Sequence, residues 1–411
     1  MAEFLHVITA DQFIQLLGRF ARLPFRRVPL EKSLHRVLAE DLIAAEDLPE
    51  GSRSTVDGFA VCAQDTFGAS DSIPALLNVT AEVKMGEMPD FEIGLGQAAQ
   101  IPTGGFLPRG ADAVVMVEYT NSAGEGSIEV TRPVTVKTNV LEKGEDAQSG
   151  QVMLSAGKLL RPQELGFLAA MGIMEVGIYG QPRVAVISSG DEIIPIDRKP
   201  ELGQIRDANS YAVSALIQAS GAKPISFDII PDDAGMLTDA VKSALAKADV
   251  VTMSGGSSVG ARDLMVDVVS GIPEVEILAH GVSIRPGKPT LLANAGGTAI
   301  IGLPGHPVSA LVVAQIFLAP FLHYLQGGKL KKGPLGHRTK AVLATSIHST
   351  IGLEEYVRVR FEQTADGTQM AFPVFGKSGM LSTMVNASGI IAIPMNVEGF
   401  SKGKVVEVIQ Y

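Results

Sequence analysis

The segment RVAVISSGDE at residues 183–192 decides the fold class, because it is a continuous apolar strand followed at once by a polar loop. Strands of this kind are buried on both faces and are typical of parallel sheets. Helical and strand patterns alternate from there to the apolar stretch after Pro307, which predicts βαβ units with helices on both faces of the sheet. The further predicted strands are 224–230, 250–254 and 298–302, and the predicted helices are 211–220, 234–246, 263–269 and one from Pro307.

The regions on either side of this α/β segment do not show the alternation of strand and helix patterns. Thr9 and Gln12 have the spacing of a capping box ahead of a first helix, and residues 30–40 show a second helical pattern. Short β-rich runs separated by Gly, Pro, Asp and Asn follow, and alternating strands occupy the C-terminal end. We therefore predict four domains: a discontinuous helical and linker domain at 1–50 and 148–180, a β-rich inserted domain at 51–147, an α/β domain at 181–328, and a small all-β domain at 334–411.

Composition excludes several classes of function. The 411 residues carry 34 basic and 44 acidic side chains, a net charge of −10, which disfavours nucleic acid or an anionic membrane as the main partner. Cys62 is the only cysteine, so an internal disulfide and a Cys-x-x-Cys metal site are excluded. The most apolar run, residues 310–322, is too short to span a bilayer and predicts a buried helix. With no signal peptide pattern at the start, we expect a cytoplasmic protein.

Four predicted loops follow strands of the α/β segment, at the sheet edge where such folds bind ligands. They cover residues 188–192, 231–233, 254–263 and 302–310. The third, SGGSSVG at 254–260, offers backbone N–H groups and hydroxyls that can cradle an anion at a helix N-terminus. It matches neither the P-loop nor the dinucleotide-binding motif, and the alternative is a tight turn with no ligand.

Charged residues in and near these loops suggest a magnesium and oxyanion site. The carboxylates Asp191, Glu192, Asp232, Asp233 and Asp263 are oxygen ligands of the kind that Mg²⁺ prefers. N-capping of the following helices is the alternative, and it is at least as good an explanation for Asp233. Arg285 and Lys288, in RPGKP, are candidates for an oxyanion or phosphate clamp, with solvated loop charge as the alternative.

An ordered set of motifs runs along the whole chain. They are STVDGFA (54–60), PTGGFLPRGADAVVMVE (102–118), GED (144–146), SSGDE (188–192), SGGSSVGARD (254–263), RPGKP (285–289), GLPGHPVSA (302–310) and GKSGMLSTMVNASG (376–389). Together they resemble the MoeA family, the molybdopterin molybdenumtransferases that also include the E domain of gephyrin. The resemblance implies a central MogA-like three-layer α/β domain with a mostly parallel sheet, a β-rich N-terminal insertion domain and a C-terminal small β-barrel.

The resemblance also implies an activity. Such an enzyme inserts molybdate or tungstate into adenylylated molybdopterin and releases AMP, assisted by Mg²⁺. It implies a homodimer whose cleft lies between the α/β domain of one subunit and the β-rich N-terminal part of the other. Contact with the adenylyltransferase and with molybdoenzyme apoproteins is expected. Two alternatives remain: the preceding adenylyltransferase step, and a molybdopterin-binding scaffold without catalysis.

Site residues follow from the resemblance position by position. The expected catalytic residues are Asp57, Asp146, Glu192 and Asp263. The expected metal ligands are Glu192, Asp232, Asp233 and Asp263. The expected substrate-binding residues are Thr103, Ser254, Gly255, Gly256, Ser258, Gly260, Arg285, Lys288, Pro304, Gly305, His306 and Ser309. Two departures from the family pattern stand out, because Leu141-Glu142-Lys143 lacks an arginine common before GED, and His306 replaces a common asparagine.

Overall fold

The computed structural model describes residues 7–255, 259–365 and 367–411, and of residues 259–263 it describes only the backbone. The chain divides into two compact units. The first comprises Met1–Ala39, Gly157–Arg161 and Glu175–Tyr411, and the second comprises Glu40–Ala156 and Pro162–Met174. These units are coarser than the four predicted domains, whose boundaries stay a prediction.

The helices of the described part of the chain are labelled in chain order. They are α1 Ala10–Leu17, α2 Pro162–Ala170, α3 Asn209–Ala219, α4 Ala234–Leu245, α5 Val259–Ser270, α6 Pro307–Val313, α7 Ala319–Leu325 and α8 Ser382–Val385. The predicted capping box of α1 is confirmed, since the Thr9 side chain accepts from Gln12 N and the Gln12 side chain accepts from Thr9 N.

The α/β sheet of the first unit has six strands. Their order is Lys223–Ser226, Arg183–Ser188, Val250–Ser254, Thr298–Leu303, Leu291–Ala295 and Val275–His280. The first four are parallel to one another, and Leu291–Ala295 pairs antiparallel with the strands on both of its sides. Successive side chains of the strand Arg183–Ser188 pack into hydrophobic cores on opposite faces of the sheet. Val184 and Val186 pack with α3 and the helices after Pro307, whereas Ala185 and Ile187 pack with α4 and α5. The predicted three-layer α/β architecture is confirmed.

The predicted buried helix after Pro307 is also confirmed. Helix α6 continues through a π-helical turn, Ala314–Leu318, into α7. Pro320 lacks a backbone N–H and cannot close an α-helical bond to the preceding turn, which accounts for the wider turn. Pro307–Leu325 is long and apolar enough to cross a membrane, but 78% of its most apolar window is buried inside the protein, as in a core helix.

The C-terminal region of the first unit closes into a five-stranded barrel, as predicted. The closed order is Glu354–Gln363, Gln369–Pro373, Arg338–Leu343, Val405–Gln410 and Gly389–Ile393, and the last strand pairs back onto the first. Leu343, Val359 and Val408 fill its interior. The short strand Ile284–Arg285 adds to the barrel alongside Glu354–Gln363.

The N-terminal part of the first unit corrects one prediction. Residues 30–40 are not a helix: a single 3₁₀ turn, Leu30–Lys32, is followed by a turn at residues 34–35 and then by bridged chain. Val37 and Leu38 form bridges to Leu159 and Ile178, and both side chains are buried. Tertiary pairing therefore overrides the helical spacing. Alongside, the strands Phe25–Pro29 and Glu175–Tyr179 pair antiparallel.

The second unit is built mainly of strands. Its six-stranded sheet has the order Ala113–Met116, Gly58–Val61, Gln97–Ile101, Ala75–Glu82, Ser127–Val130 and Thr120–Ser122. Two short pairs accompany it, Arg53–Ser54 with Val140–Leu141 and Leu42–Ile43 with Val152–Leu154. This confirms the β-rich N-terminal domain class, and helix α2 belongs to the same unit.

Candidate functional site

The ends of three neighbouring parallel strands line up at one edge of the α/β sheet. Ser188 pairs in register with Ser254, and Ser254 pairs with Leu303. Three of the four predicted ligand loops therefore leave the sheet side by side. A backbone bond from Ser189 N to Ser254 O, 2.9 Å long, joins the first and third loops directly.

The loop after Ser188 also meets the loop that contains Asp232. Gly190 N donates to Ile230 O at 3.2 Å, and Asp232 N donates to Asp191 Oδ1 at 3.1 Å. Burial raises the pKa of the Asp232 carboxyl, and the nearby charges of Asp191 and Glu192 raise that pKa further. A hydrogen bond from the Ser189 side chain opposes this rise. The fold therefore concentrates negative charge at this corner of the sheet edge.

This corner suits a divalent cation held in part by substrate. Asp232 Oδ1 is buried and has no hydrogen-bond partner among the described residues. Within the described residues, no group of three or more His, Cys, Asp or Glu side chains forms a ready metal cage. Mg²⁺ commonly takes one or two carboxylates and completes its shell with waters and substrate oxygens. Glu192 and Asp232 fit that role.

Asp233 acts as a helix cap. It occupies the N-cap of α4, where its Oδ1 accepts from Met236 N at 2.8 Å. This is the capping alternative that the sequence offered, and it occupies one oxygen of the carboxylate. A role of Asp233 as a metal ligand stays a prediction.

The glycine- and serine-rich loop is described at its two ends. Ser254 is buried, and a Cβ placed on Gly255 would lie 3.3 Å from Ser189 Oγ, so the first and third loops approach closely. Helix α5 begins at Val259 and includes Gly260. The predicted site residues Gly256 and Ser258 lie outside the described residues, as does the side chain of Asp263.

The fourth loop is held from two directions. The Asn209 side chain donates to Gly305 O at 2.9 Å, and Val308 N donates to Ser378 O at 3.0 Å. His306 occupies the N-cap position of α6 beside Pro304, and Ser309 is buried in the first turn.

Sequence reasoning missed the contacts that hold this loop. Ser378 belongs to GKSGM, which carried the family resemblance without an assigned role. Asn209 opens α3, and no pattern in the sequence singles it out. Residues 376–380 thus join the candidate site through a backbone contact that spacing does not reveal.

The RPGKP turn presents two exposed cations. Arg285 and Lys288 are both solvent-exposed, and Arg285 Nε lies 3.8 Å from Glu355 Oε1 on the adjacent barrel strand. Gly287 has φ +110°, and a Cβ there would lie 2.4 Å from Val313 Cγ2. Only glycine therefore lets this turn pack against α6, the helix that begins at the fourth loop.

The second unit holds Asp57 and Thr103 together. Asp57 Oδ1 accepts from Thr103 N at 2.7 Å and from Thr103 Oγ1 at 2.9 Å. These two hydrogen bonds, the backbone one first, hold the pKa of the Asp57 carboxyl below its usual range. A Cβ on Gly58 would lie 1.9 Å from Val115 O, so the glycine after the aspartate is required by close strand pairing.

Asp146 lies in a separate, self-bonded turn of the same unit. Its backbone N donates to Leu48 O at 3.0 Å, and Glu142 N donates to Glu145 Oε2 at 2.8 Å. The Asp146 side chain is exposed. Lys143, one of the residues at the predicted departure, pairs with Asp47 at 3.4 Å.

Three family profiles match successive parts of the chain. The profile of the "MoeA N-terminal region (domain I and II)" matches residues 8–172, that of a "probable molybdopterin binding domain" matches 185–324, and that of the "MoeA C-terminal region (domain IV)" matches 340–411.

Whole-length relatives agree with these profiles. A putative molybdopterin biosynthesis protein of Methanocaldococcus jannaschii is 34% identical, over 93% of this chain and 91% of that protein. A molybdopterin molybdenumtransferase of Bacillus subtilis is 33% identical, over 93% of this chain and 89% of that enzyme. The crystal structure of a molybdopterin biosynthesis MoeA protein from Pyrococcus horikoshii OT3 superposes with a TM-score of 0.83, at 29% identity, over 98% of this chain and all of that one.

Proposed function

The chain belongs to the MoeA family, enzymes of molybdenum cofactor biosynthesis named molybdopterin molybdenumtransferases, and on that premise we propose its particular reaction. The protein takes adenylylated molybdopterin and molybdate, or tungstate, places the metal on the pterin and releases AMP, with Mg²⁺ assisting.

The observation that carries the proposal is the carboxyl edge of the α/β sheet. There the Ser188–Ser189 loop, the loop with Asp232, and the start of the glycine-rich loop are joined by backbone hydrogen bonds. The backbone N–H groups at the start of α5 can bind phosphate. The carboxylate corner beside them supports a cation that neutralises the same phosphate.

Release of AMP means breaking a phosphoanhydride, so negative charge develops on phosphate oxygens. Mg²⁺, when bound, would neutralise part of that charge. Glu192 and Asp232 would hold the ion. Arg285 and Lys288 provide exposed cations that can bind the dianionic metal oxyanion, with His306 and Ser309 at the start of α6 as further polar groups.

Asp57 supplies a fixed, ionised carboxylate in this scheme. Both of its bonds from Thr103 engage Oδ1, which orients the group and favours its charged form. A carboxylate held in this way can orient an attacking water or oxyanion. Asp146 and Asp263 complete the proposed catalytic set on the strength of the family motifs alone.

We further propose that the protein is a cytoplasmic homodimer with a cleft shared between subunits. In this arrangement Asp57, Thr103 and Asp146 of one subunit face the α/β sheet edge of its partner. The support is the family resemblance together with the separation of the predicted residues between two compact units. Contacts with the adenylyltransferase and the molybdoenzyme apoproteins would deliver the substrate and receive the product.

The test is to incubate purified protein with adenylylated molybdopterin and Mg²⁺, and to follow AMP release with and without molybdate or tungstate. Oxyanion-dependent AMP release with metal bound to the pterin would support the proposal and show the preferred metal. Tight nucleotide binding without AMP release would favour the scaffold instead. AMP release must also fall when Mg²⁺ is chelated, or the assignment of Mg²⁺ is wrong.

A further inference from the structure

A large cavity lies beside the sheet edge, and apart from Gly190, Asp191 and Pro231 its lining residues have no role in the proposed chemistry. It has a volume of about 1130 Å³, slightly more than the roughly 1,000 Å³ of a large small-molecule site. Helix α3 forms one wall, and the segments 193–198 and 226–229 with Pro231 form the others. Gly190, Asp191 and Pro231 also line it and belong to the candidate-site loops, so the cavity adjoins the carboxylate corner.

Two hydroxyl groups in the wall of this cavity have no partner. Ser210 Oγ and Ser214 Oγ are buried and make no hydrogen bond to the part of the protein that the structure describes. They stand four residues apart on α3, and therefore on the same face of the helix. A buried hydroxyl without a partner costs free energy, and each of these can both donate and accept. A ligand with polar atoms along one edge would satisfy both.

The rest of the lining narrows the chemistry of that ligand. The aromatic and aliphatic side chains include Tyr211, Phe227 and Ile194, which suit the faces of a planar ring. Among the described lining residues, four carboxylates accompany one arginine, so a phosphate or another anion is disfavoured inside the cavity; they are Asp191, Asp197, Asp207 and Asp228. Carboxylates accept hydrogen bonds from amino and ring N–H groups. An apolar ligand would leave both serines unpaired.

We propose that this cavity binds an amino-substituted, nitrogen-containing planar heterocycle, supplied by one end of the pterin nucleotide. The inference rests on the proposed function, whose substrate carries two such rings, an adenine and a pterin. Both rings have flat faces for Tyr211 and Phe227, amino groups for the carboxylates, and ring atoms for the two serines. The phosphates would then extend past Asp191 towards the glycine-rich loop.

The test measures ring binding without turnover. The full-length protein is titrated with AMP, with IMP, and with free pterin. Calorimetry reports the nucleotides, and fluorescence reports the pterin, because the chain contains no tryptophan. Ser214→Leu should weaken binding of AMP or of pterin about tenfold or more, since it fills the cavity and removes a hydroxyl. The ring that loses affinity is the one that the cavity holds.

Control variants and a control ligand distinguish a specific loss of ring binding from misfolding. Ser243→Leu makes the same change on α4, away from the cavity, and should leave binding unchanged. The Ser210→Ala, Ser214→Ala double variant preserves the volume and replaces Ser214→Leu if that variant does not fold. If AMP is the ring that the cavity holds, IMP, which lacks the amino group, must bind more weakly than AMP. Unchanged affinity for both rings in folded cavity variants would overturn the inference.

The two proposals fail separately. If the wild type releases AMP on addition of oxyanion while the cavity variants bind both rings normally, the function stands and the cavity inference fails. If the cavity variants lose ring binding while the wild type shows no oxyanion-dependent AMP release, the cavity inference stands and the proposed reaction fails.

Discussion

Asp57 shows how a single turn can fix both the orientation and the charge of a side chain. Its two bonds from Thr103 go to one oxygen, and an asparagine amide oxygen could accept both of them. Asp57→Asn should therefore keep the local geometry and lose only the charge. We expect AMP release to fall about 10²-fold or more, with nucleotide binding still detectable.

A companion variant separates charge from orientation. Thr103→Val removes the hydroxyl donor but keeps the backbone donor, so Asp57 stays charged with a less restricted carboxylate and a less depressed pKa. Its AMP release should fall less than that of Asp57→Asn. Full activity in Asp57→Asn would remove this carboxylate from the catalytic set.

Asp232 predicts a dependence of stability on pH. Burial and the charges of Asp191 and Glu192 raise its pKa, so the ionised form is disfavoured in the folded protein. Native Asp232 therefore keeps its proton at pH values where the unfolded chain has released it, and its contribution to stability falls as pH rises through that window. Asp232→Asn should be more stable than wild type at neutral pH. This difference in Tm should disappear as pH falls through the raised folded pKa towards the ordinary aspartate value.

The same residue gives a test of the proposed cation site. Mg²⁺ bound at this corner would relieve the repulsion among the three carboxylates, and it would raise the Tm of the wild type by binding to the folded state. Asp232→Asn should show a smaller rise at equal Mg²⁺. Equal rises in the two proteins would place Mg²⁺ elsewhere.

At the scale of elements, Asp233 has two candidate roles, as the N-cap of α4 and as a metal ligand. As the N-cap of α4 it satisfies Met236 N. Asp233→Ala should lower the free energy of unfolding by about 1 kcal/mol, whereas Asp233→Ser should restore most of it, because serine also caps helices well. Chemical denaturation measures both.

Activity in the same variants tells a cap from a metal ligand. Near-normal Mg²⁺-dependent AMP release in Asp233→Ser would show that the cap is the main duty. A large activity loss in a stably folded Asp233→Ser would instead support the metal assignment.

The elements themselves were largely predictable, because local pattern and tertiary role agree in them. The strand from Arg183 is apolar on both faces, and the structure buries both faces between helices. The helix predicted for residues 30–40 is wrong because local pattern and tertiary role disagree there. Its helical spacing competes with pairing to residues 159 and 178, which are distant in sequence, and Leu38 is buried by that pairing.

The candidate site was less predictable, since it depends on contacts between elements. Strand ends could be placed at one edge from the alternation of strands and helices. The bond from Val308 N to Ser378 O joins residues 70 positions apart, and the sequence offers no spacing rule for it. The cavity beside α3 was equally hidden, because Ser210 and Ser214 look like ordinary polar residues of a surface helix.

At the scale of the whole molecule, the net negative charge of the protein opposes the binding of its proposed anionic substrates. The chain carries a net charge of −10, yet its proposed substrates are anions. Binding therefore depends on local donors: backbone N–H groups at helix starts, and the exposed cations Arg285 and Lys288. Long-range attraction contributes little, so substrate binding should depend only weakly on ionic strength.

The shared cleft predicts complementation between two inactive variants. In a homodimer whose clefts combine the N-terminal part of one subunit with the α/β part of the other, Asp57→Asn and Asp263→Asn damage opposite sides of a cleft. A mixed dimer then has one doubly damaged cleft and one intact cleft. Random exchange should make half of the dimers mixed and restore about a quarter of wild-type AMP release. Two separately inactive proteins that stay inactive after proven subunit exchange would mean that each cleft is built within one chain.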